Sequence, residues 1–258
     1  MRRPRRMVRA ATDAGPRWGE VLGDEVRAVP GFGGASTDEV LGPLDELELL
    51  APAVPTKVIC VGRNYVAHAA EHGVEVPERP LLFMKPPSAV IGPGAAVLRP
   101  PESDRVEHEG ELAVVISRRG RRIAAEAAWE HVLGITCGND VTARDLQRAD
   151  GQWTRGKGFD TFCPLGPWLV TGVGPEDVRD LAVTVRVSGE ERQSGRTSQM
   201  VFSVGDLVAA ASAVMTLEPG DVLLTGTPAG VGPLRAGDVV DVEIEGIGIL
   251  SNPVEDEG

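Results

Sequence analysis

Short apolar runs alternate with Gly- and Pro-rich turns along the whole chain, and long amphipathic stretches are rare. Residues 7–10, 17–22 and 25–29 read as strands, separated by turns at 13–16 and 23–24. Residues 37–50 are more polar and predict a short helix, and Ala51-Pro52-Ala53-Val54-Pro55 reads as a linker. These segments outline a small β-rich annex over residues 7–55, ahead of a main domain over residues 56–258. In the main domain, strands are predicted at 57–61, 81–84, along 112–116, at 131–137, 166–171 and 181–187. Helices are predicted near 124–130 and 142–149. A third, amphipathic helix over 203–215 has Ser203 as N-cap and Asp206 three residues on. Strand and turn alternate again through 221–225, 238–245 and 248–250.

Composition agrees with this mainly β pattern. The 258 residues include 32 glycines and 20 prolines, while aromatics are 4%. Apolar residues at 42% suffice for a sizeable core. The formal net charge of -12 argues against nucleic acid or an anionic membrane as the main partner. The exception is Arg2-Arg3-Pro4-Arg5-Arg6, read here as a disordered tail over residues 1–6 ahead of an alternative start at Met7, or else as a basic arm. No apolar segment follows it to make a signal peptide, and no stretch is apolar and long enough to span a bilayer. Cys60, Cys137 and Cys163 are widely spaced and fit small buried thiols in a cytoplasmic protein.

Chemistry is suggested first by Val106-Glu107-His108-Glu109-Gly110-Glu111-Leu112, which runs into an apolar, β-branched stretch. On one strand Glu109 and Glu111 would share a face, repel each other and resist desolvation, and a divalent cation relieves both problems. A solvated acidic strand edge is the plainer reading of the same residues. Asp140, at the end of an apolar strand and before a helix, is a possible third oxygen ligand. Thr142 and Asp145 are spaced as a capping box, and Arg144 and Gln147 share a helix face, where Arg144 can clamp an anion or pair with surface acids. Lys157, between Gly156 and Gly158, suggests a loop approached closely by a ligand, with an ammonium able to stabilise an oxyanion. His68 and Glu71 lie one turn apart on a short predicted helix, the spacing at which a carboxylate orients an imidazole base. With His72 they also match an inverted zinc-peptidase motif, but Gly73 ends the helix too soon and the oxygen cluster favours a harder cation. Thr225-Gly226-Thr227-Pro228 is a strand entering a loop that can offer backbone N–H groups and the Thr227 hydroxyl to a carboxylate, or serve as a plain turn.

Taken together and in order, Gly62-Arg63-Asn64-Tyr65, Phe83-Met84-Lys85-Pro86, Glu109-Gly110-Glu111-Leu112, Asp140-Val141-Thr142-Ala143-Arg144-Asp145 and Thr225-Gly226-Thr227-Pro228 resemble the fumarylacetoacetate hydrolase family, especially its small bacterial and mitochondrial members. The resemblance runs from Lys57 to the C-terminus. It implies an α+β fold, mainly β: a mixed β-sandwich-like roll with a few short helices, usually a homodimer. It implies Mg²⁺ or Mn²⁺ on Glu109, Glu111 and Asp140, a His68/Glu71 pair on a lid helix, Lys157 in catalysis, and substrate contacts from Lys85, Arg144, Gln147 and Thr227. Asp160 and Asn64-Tyr65 match the pattern with less definite roles.

The activity so implied is hydrolytic cleavage of a C–C bond in a 2,4-dioxo acid of the acylpyruvate or fumarylacetoacetate type, through a metal-bound enolate. The alternative is isomerisation or decarboxylation of 2-hydroxyhepta-2,4-diene-1,7-dioate or oxaloacetate-type substrates in aromatic catabolism. A non-catalytic binding protein is the remote alternative.

Overall fold

The computed structural model describes residues 4–71, 73 and 75–258. His72, the third member of the zinc-peptidase pattern, lies outside them. The fold is mainly β with few helices, as the alternating pattern and the turn-rich composition predict.

Among the described residues, twelve strands form one large mixed sheet. Its centre runs in the order Arg5–Ala10, Cys163–Thr171, Val132–Asn139, Gly110–Ile116, Val222–Leu224, Val58–Gly62 and Leu81–Lys85. The annex hairpin Arg17–Leu22 and Glu25–Val29 extends this sheet rather than forming a separate layer, because Arg5, Arg6 and Met7 pair with Thr171, Val170 and Leu169. Arg5 and Arg6 therefore do not belong to a disordered tail. The Arg5 guanidinium donates to Glu20 and to the Gly34 carbonyl, and Arg6 stacks over Trp168, which gives both side chains fixed partners. The helix predicted within 37–50 is only a single 3₁₀ turn, Leu44–Glu46, between two short strands.

A second, five-stranded sheet orders Glu190–Arg196, Ala182–Val187, Val239–Ile244, Gly248–Asp256 and Val97–Arg99. Val183, Val185, Val240 and Val242 from this sheet and Leu112, Val114 and Ile135 from the large sheet belong to one buried apolar cluster. The sheets touch closely at Gly110, where a Cβ would lie 2.3 Å from Val185 Cγ2. The glycine between the two glutamates is thus a packing requirement.

Four α-helices complete the described fold: α1 (Val66–Glu71), α2 (Arg144–Asp150), α3 (Thr154–Lys157) and α4 (Val204–Val214). Ser203 and Asp206 form the capping box of α4. The helix predicted near 124–130 is a 3₁₀ helix, Ala125–Glu130. The capping box predicted for α2 does not form. Thr142 Oγ1 instead donates to the Asp140 carbonyl, and Asp145 accepts from Ser103 and the Asp104 amide. No described helix is long and apolar enough to cross a membrane. All three cysteines are buried and free.

Candidate metal centre and active site

The acidic stretch is not one continuous strand. Val106–His108 pairs in a small three-stranded sheet with Thr142–Ala143 and Gly232–Pro233, whereas Gly110–Ile116 lies in the large sheet. Glu109 stands at the crossing between the two sheets. Its amide donates to Asn139 Oδ1 at 2.9 Å, and its carbonyl accepts the Asp140 amide at 2.8 Å. These two bonds tie the glutamate segment to the segment carrying Asp140. The carboxylates of Glu109, Glu111 and Asp140 are all buried, with one oxygen from each lying within 4.8 Å of the others.

Such a cluster needs positive charge. Lys157 Nζ donates to Glu109 Oε2 at 2.8 Å and to Asp140 Oδ2 at 2.7 Å, and Arg144 pairs with Glu109 and, at 2.7 Å, with Glu107. Burial opposes ionisation of Glu109, but Lys157 and Arg144 overcome it and hold the carboxyl well below its ordinary range. Glu111 differs. Its Oε2 accepts the Gly226 amide at 2.6 Å, yet among the described residues no Lys or Arg lies within ion-pair distance of it. Burial, then Asp140 and Glu109, push its carboxyl well above the usual range. Three convergent carboxylates, one lacking a cationic partner, form a donor set suited to a hard divalent ion with oxygen ligands at roughly 2.0–2.6 Å.

Local sequence explains how the cations arrive there. Gly156 packs so tightly on α2 that a Cβ would sit 2.8 Å from the Gln147 amide, and at Gly158 a Cβ would meet the Thr154 carbonyl at 2.6 Å. Gly156 therefore seats α3 against α2, and Gly158 lets the chain close on the first carbonyl of α3 itself. They do not open a loop to a ligand, and Lys157 is 2% exposed.

Lys85 is 1% exposed and does not line the cavity as a substrate contact would. Its ammonium lies 2.8 Å from Asp140 Oδ1 and donates to the carbonyls of Val141 and Lys157. It orients Asp140 and anchors the end of α3. The Arg144 guanidinium is likewise engaged by Glu107, Glu109 and Gln147, the last at 2.7 Å, so each of its three nitrogens already has a partner in the protein. Thr227 Oγ1 donates to the Gly110 carbonyl at 2.8 Å, and the Gly226 amide serves the protein's own Glu111 rather than a ligand carboxylate.

Above the acids lies a cavity of about 520 Å³, lined by Glu109, Glu111, Asp140, Lys157, Arg144, Gln147, Thr227, His68 and Glu71, with Phe83 and Trp153 as an apolar wall. The structure thus brings nine of the ten expected site residues to one cavity, with Lys85 directly behind it. His68, on α1, is 6% exposed, and its Nδ1 lies 3.6 Å from Glu71 Oε2. Burial lowers its pKa despite the attraction of Glu109, which favours the neutral imidazole. Glu71 also accepts the Gly230 amide, at 3.2 Å, which ties α1 to the loop carrying Thr227. Asn64 braces the same region, donating to the carbonyls of Phe202 and Thr225.

One site-supporting residue gave no sequence signal. Gln193 lies on the five-stranded sheet in the otherwise polar, exposed strand Glu190–Arg196, yet is fully buried. Its Oε1 accepts from the Gly110 amide at 3.0 Å and faces His108 Nδ1 at 3.0 Å. Its Nε2 donates to Thr227 Oγ1 at 2.8 Å and to the Pro228 carbonyl at 2.7 Å. The backbone partners fix the amide orientation, so His108 carries its proton on Nδ1. Gln193 thereby sets the peptide between the two glutamates and the Thr227 hydroxyl together.

A mainly β roll with a buried carboxylate triad under a histidine-bearing helix defines a class of enzymes. Residues 57–255 match the family described as fumarylacetoacetate (FAA) hydrolase, C-terminal, and the chain belongs to that family. Residues 5–52 match a second family, described as Rv2993c-like, N-terminal. Protein Rv2993c of Mycobacterium tuberculosis is 51% identical over 216 residues, covering 84% of this chain and 82% of its own. The human mitochondrial protein named oxaloacetate tautomerase FAHD2A is 50% identical over 222 residues, covering 82% of this chain and 71% of its own. A crystal structure described as 2-hydroxyhepta-2,4-diene-1,7-dioate isomerase from Mycobacterium marinum superposes with a TM-score of 0.90 at 44% identity, covering 98% of this chain and 99% of that one. Members of this family are enzymes, and the names of these relatives span isomerisation and tautomerisation.

Proposed function

We propose that the chain is a divalent-cation-dependent enzyme that interconverts the enol and keto forms of a short 2-oxo acid, moving a proton at the carbon beside the 2-oxo group. The observation that carries this reading is the placement of a buried imidazole and three convergent carboxylates in one cavity. The names of the tautomerase and isomerase relatives favour it over C–C hydrolysis of a 2,4-dioxo acid.

Glu109, Glu111 and Asp140 would hold the ion, Mg²⁺ or Mn²⁺, with Lys85 and Lys157 orienting Asp140 and Glu109. When bound, the ion supplies Lewis acidity toward the 2-oxo and carboxylate oxygens of the substrate. His68, unprotonated, takes the proton from the carbon next to the carbonyl at Nε2. Glu71, beside Nδ1, steadies the imidazolium until the proton is delivered to the 2-oxo oxygen, which completes the enol; the keto form is regained by the reverse path. Lys157 adds fixed positive charge where negative charge grows on the substrate oxygen. Phe83 and Trp153 keep one side of the cavity apolar. The expected assembly is a homodimer acting on a small oxo acid, with no nucleic-acid or membrane partner.

The test follows enol oxaloacetate by its ultraviolet absorbance, with Mg²⁺ and with EDTA, alongside product analysis. The reading predicts Mg²⁺-dependent decay of the enol band with oxaloacetate conserved. Pyruvate appearing in step with that decay would assign decarboxylation instead. Cleavage of an acylpyruvate with no effect on the enol would assign the hydrolase reaction.

A further inference from the structure

The cations at the base of the cavity are all engaged: Lys157 by Glu109 and Asp140, Lys85 by Asp140, and Arg144 by Glu107 and Glu109. Each of them is already paired with at least one carboxylate of the protein, beside the reacting end of the cavity. Two other cations line the same cavity, Arg63 and Arg148. Among the described residues neither has an acidic side chain within ion-pair distance or any hydrogen bond from its guanidinium, in a chain whose net charge is -12. Arg148 is exposed and lies one helical turn beyond Arg144 on α2, placing it further out along the same wall.

Arg63 carries a second signal. Its φ is 61°, the left-handed region, where a side chain is strained and glycine is not. Stability alone would place glycine there. The guanidinium carbon lies 6.0 Å from the centre of the Trp153 ring, and Trp153 packs edge-on against Phe83 at 5.1 Å. The strained backbone thus aims a cation, steadied by an indole, at the mouth of a cleft whose wall is apolar and whose floor is acidic.

The geometry points to Arg63 and Arg148 as the specificity-determining residues that receive a second, distal carboxylate of the substrate. The 2-oxo acid end would lie at the carboxylate centre, the intervening carbons along Phe83 and Trp153, and the far carboxylate between the two guanidinium groups, which bind such an anion through paired N–H donors. This assignment rests on the reading of the cavity as a 2-oxo acid site, and it restricts the substrate to dicarboxylates.

A binding experiment tests it without requiring turnover. Calorimetric titration of the Mg²⁺-loaded full chain compares N-oxalylglycine, a stable 2-oxo dicarboxylate mimic, with its glycine-end methyl ester, which lacks only the distal charge. The diacid is expected to bind at least about tenfold more tightly, a charge-assisted hydrogen bond being worth that much or more. Arg63→Gln and Arg148→Gln should each narrow the gap, and the double variant should abolish it. Arg63→Gly adds a separate check, since it should keep or raise Tm by relieving the left-handed strain while losing selectivity for the diacid. A merely structural arginine would show the reverse. Equal affinity of wild type for diacid and ester, failure of the diacid to bind, or equal weakening of both ligands in the variants would overturn the assignment. If the selectivity and its loss are found but the enol of oxaloacetate is not consumed, the tautomerase reading fails and the assignment of the two arginines stands.

Discussion

Glu111→Gln separates the cost of the carboxylate cluster from its use. In the metal-free protein, Glu111 is buried beside Asp140 and Glu109 with, among the described residues, no Lys or Arg at ion-pair distance, and burial and these two acids raise its pKa although Lys157 opposes them. Glutamine keeps an oxygen for the Gly226 amide and removes the charge. The desolvation of such a buried carboxyl, offset by the Gly226 amide but by no ion pair, costs on the order of 1–3 kcal/mol. The variant should therefore melt several degrees higher than wild type in EDTA, at about 2–4 °C per kcal/mol for a chain of this size. Mg²⁺ at a hundred times its Kd should stabilise wild type by about 2.7 kcal/mol, or roughly 5–11 °C, and the variant hardly at all. The order of the two melting temperatures then reverses or closes on adding Mg²⁺. The sign with pH follows from the same group. A carboxyl whose folded pKa is raised contributes stability present below its unfolded pKa and lost as pH rises through the folded one. In EDTA, wild-type stability should carry this loss and Glu111→Gln should not. Differential scanning calorimetry across pH, with and without Mg²⁺, reads all of this. A variant less stable than wild type in EDTA, or one that keeps the full Mg²⁺ shift, would refute the reasoning.

Three further outcomes are expected. His68→Gln should lower kcat for enol consumption about 10²–10⁴-fold with Tm little changed, and wild-type activity should persist below pH 6.5 because burial depresses the His68 pKa, which a pH–rate profile checks. Lys157→Met leaves Glu109 and Asp140 without their shared ammonium and should cost about 3–5 kcal/mol in EDTA, partly restored by Mg²⁺, as denaturant titration would show. Gln193→Met should weaken Mn²⁺ affinity about 10–100-fold, measured by Mn²⁺ electron paramagnetic resonance, and shift the His108 proton away from Nδ1 in ¹⁵N NMR spectra.

Much of this site was legible because its chemistry uses residue types that are costly to bury. Glu111 lies inside an apolar strand while Glu109 and Asp140 stand at the ends of two such strands, and acids in those places stand out in a hydropathy pattern. The sequence showed less of how the parts meet. A break between sheets at Glu109 depends on long-range pairing of Val106–His108, which no local periodicity encodes. Gly156 and Gly158 resemble a ligand loop in sequence, and only the approach of α2 to Gly156 and of the Thr154 carbonyl to Gly158 shows that they serve local packing. Lys85 and Arg144 were legible as functional cations, but their acidic partners come from distant segments, so supporting carboxylates was indistinguishable from touching substrate. Gln193 sits in a polar strand and differs from its neighbours only in the direction it faces. Arg5 and Arg6 read as a tail because their partners, Glu20 and Trp168, belong to other strands.

The central claim is that Glu109, Glu111 and Asp140 share one divalent ion. Anomalous diffraction from crystals soaked in Mn²⁺ tests it most directly. The account predicts a single strong peak at roughly 2.0–2.6 Å from one oxygen of each carboxylate. A peak elsewhere on the chain, or an undisturbed Lys157 bridge with no manganese among the three acids at saturating Mn²⁺, would contradict it.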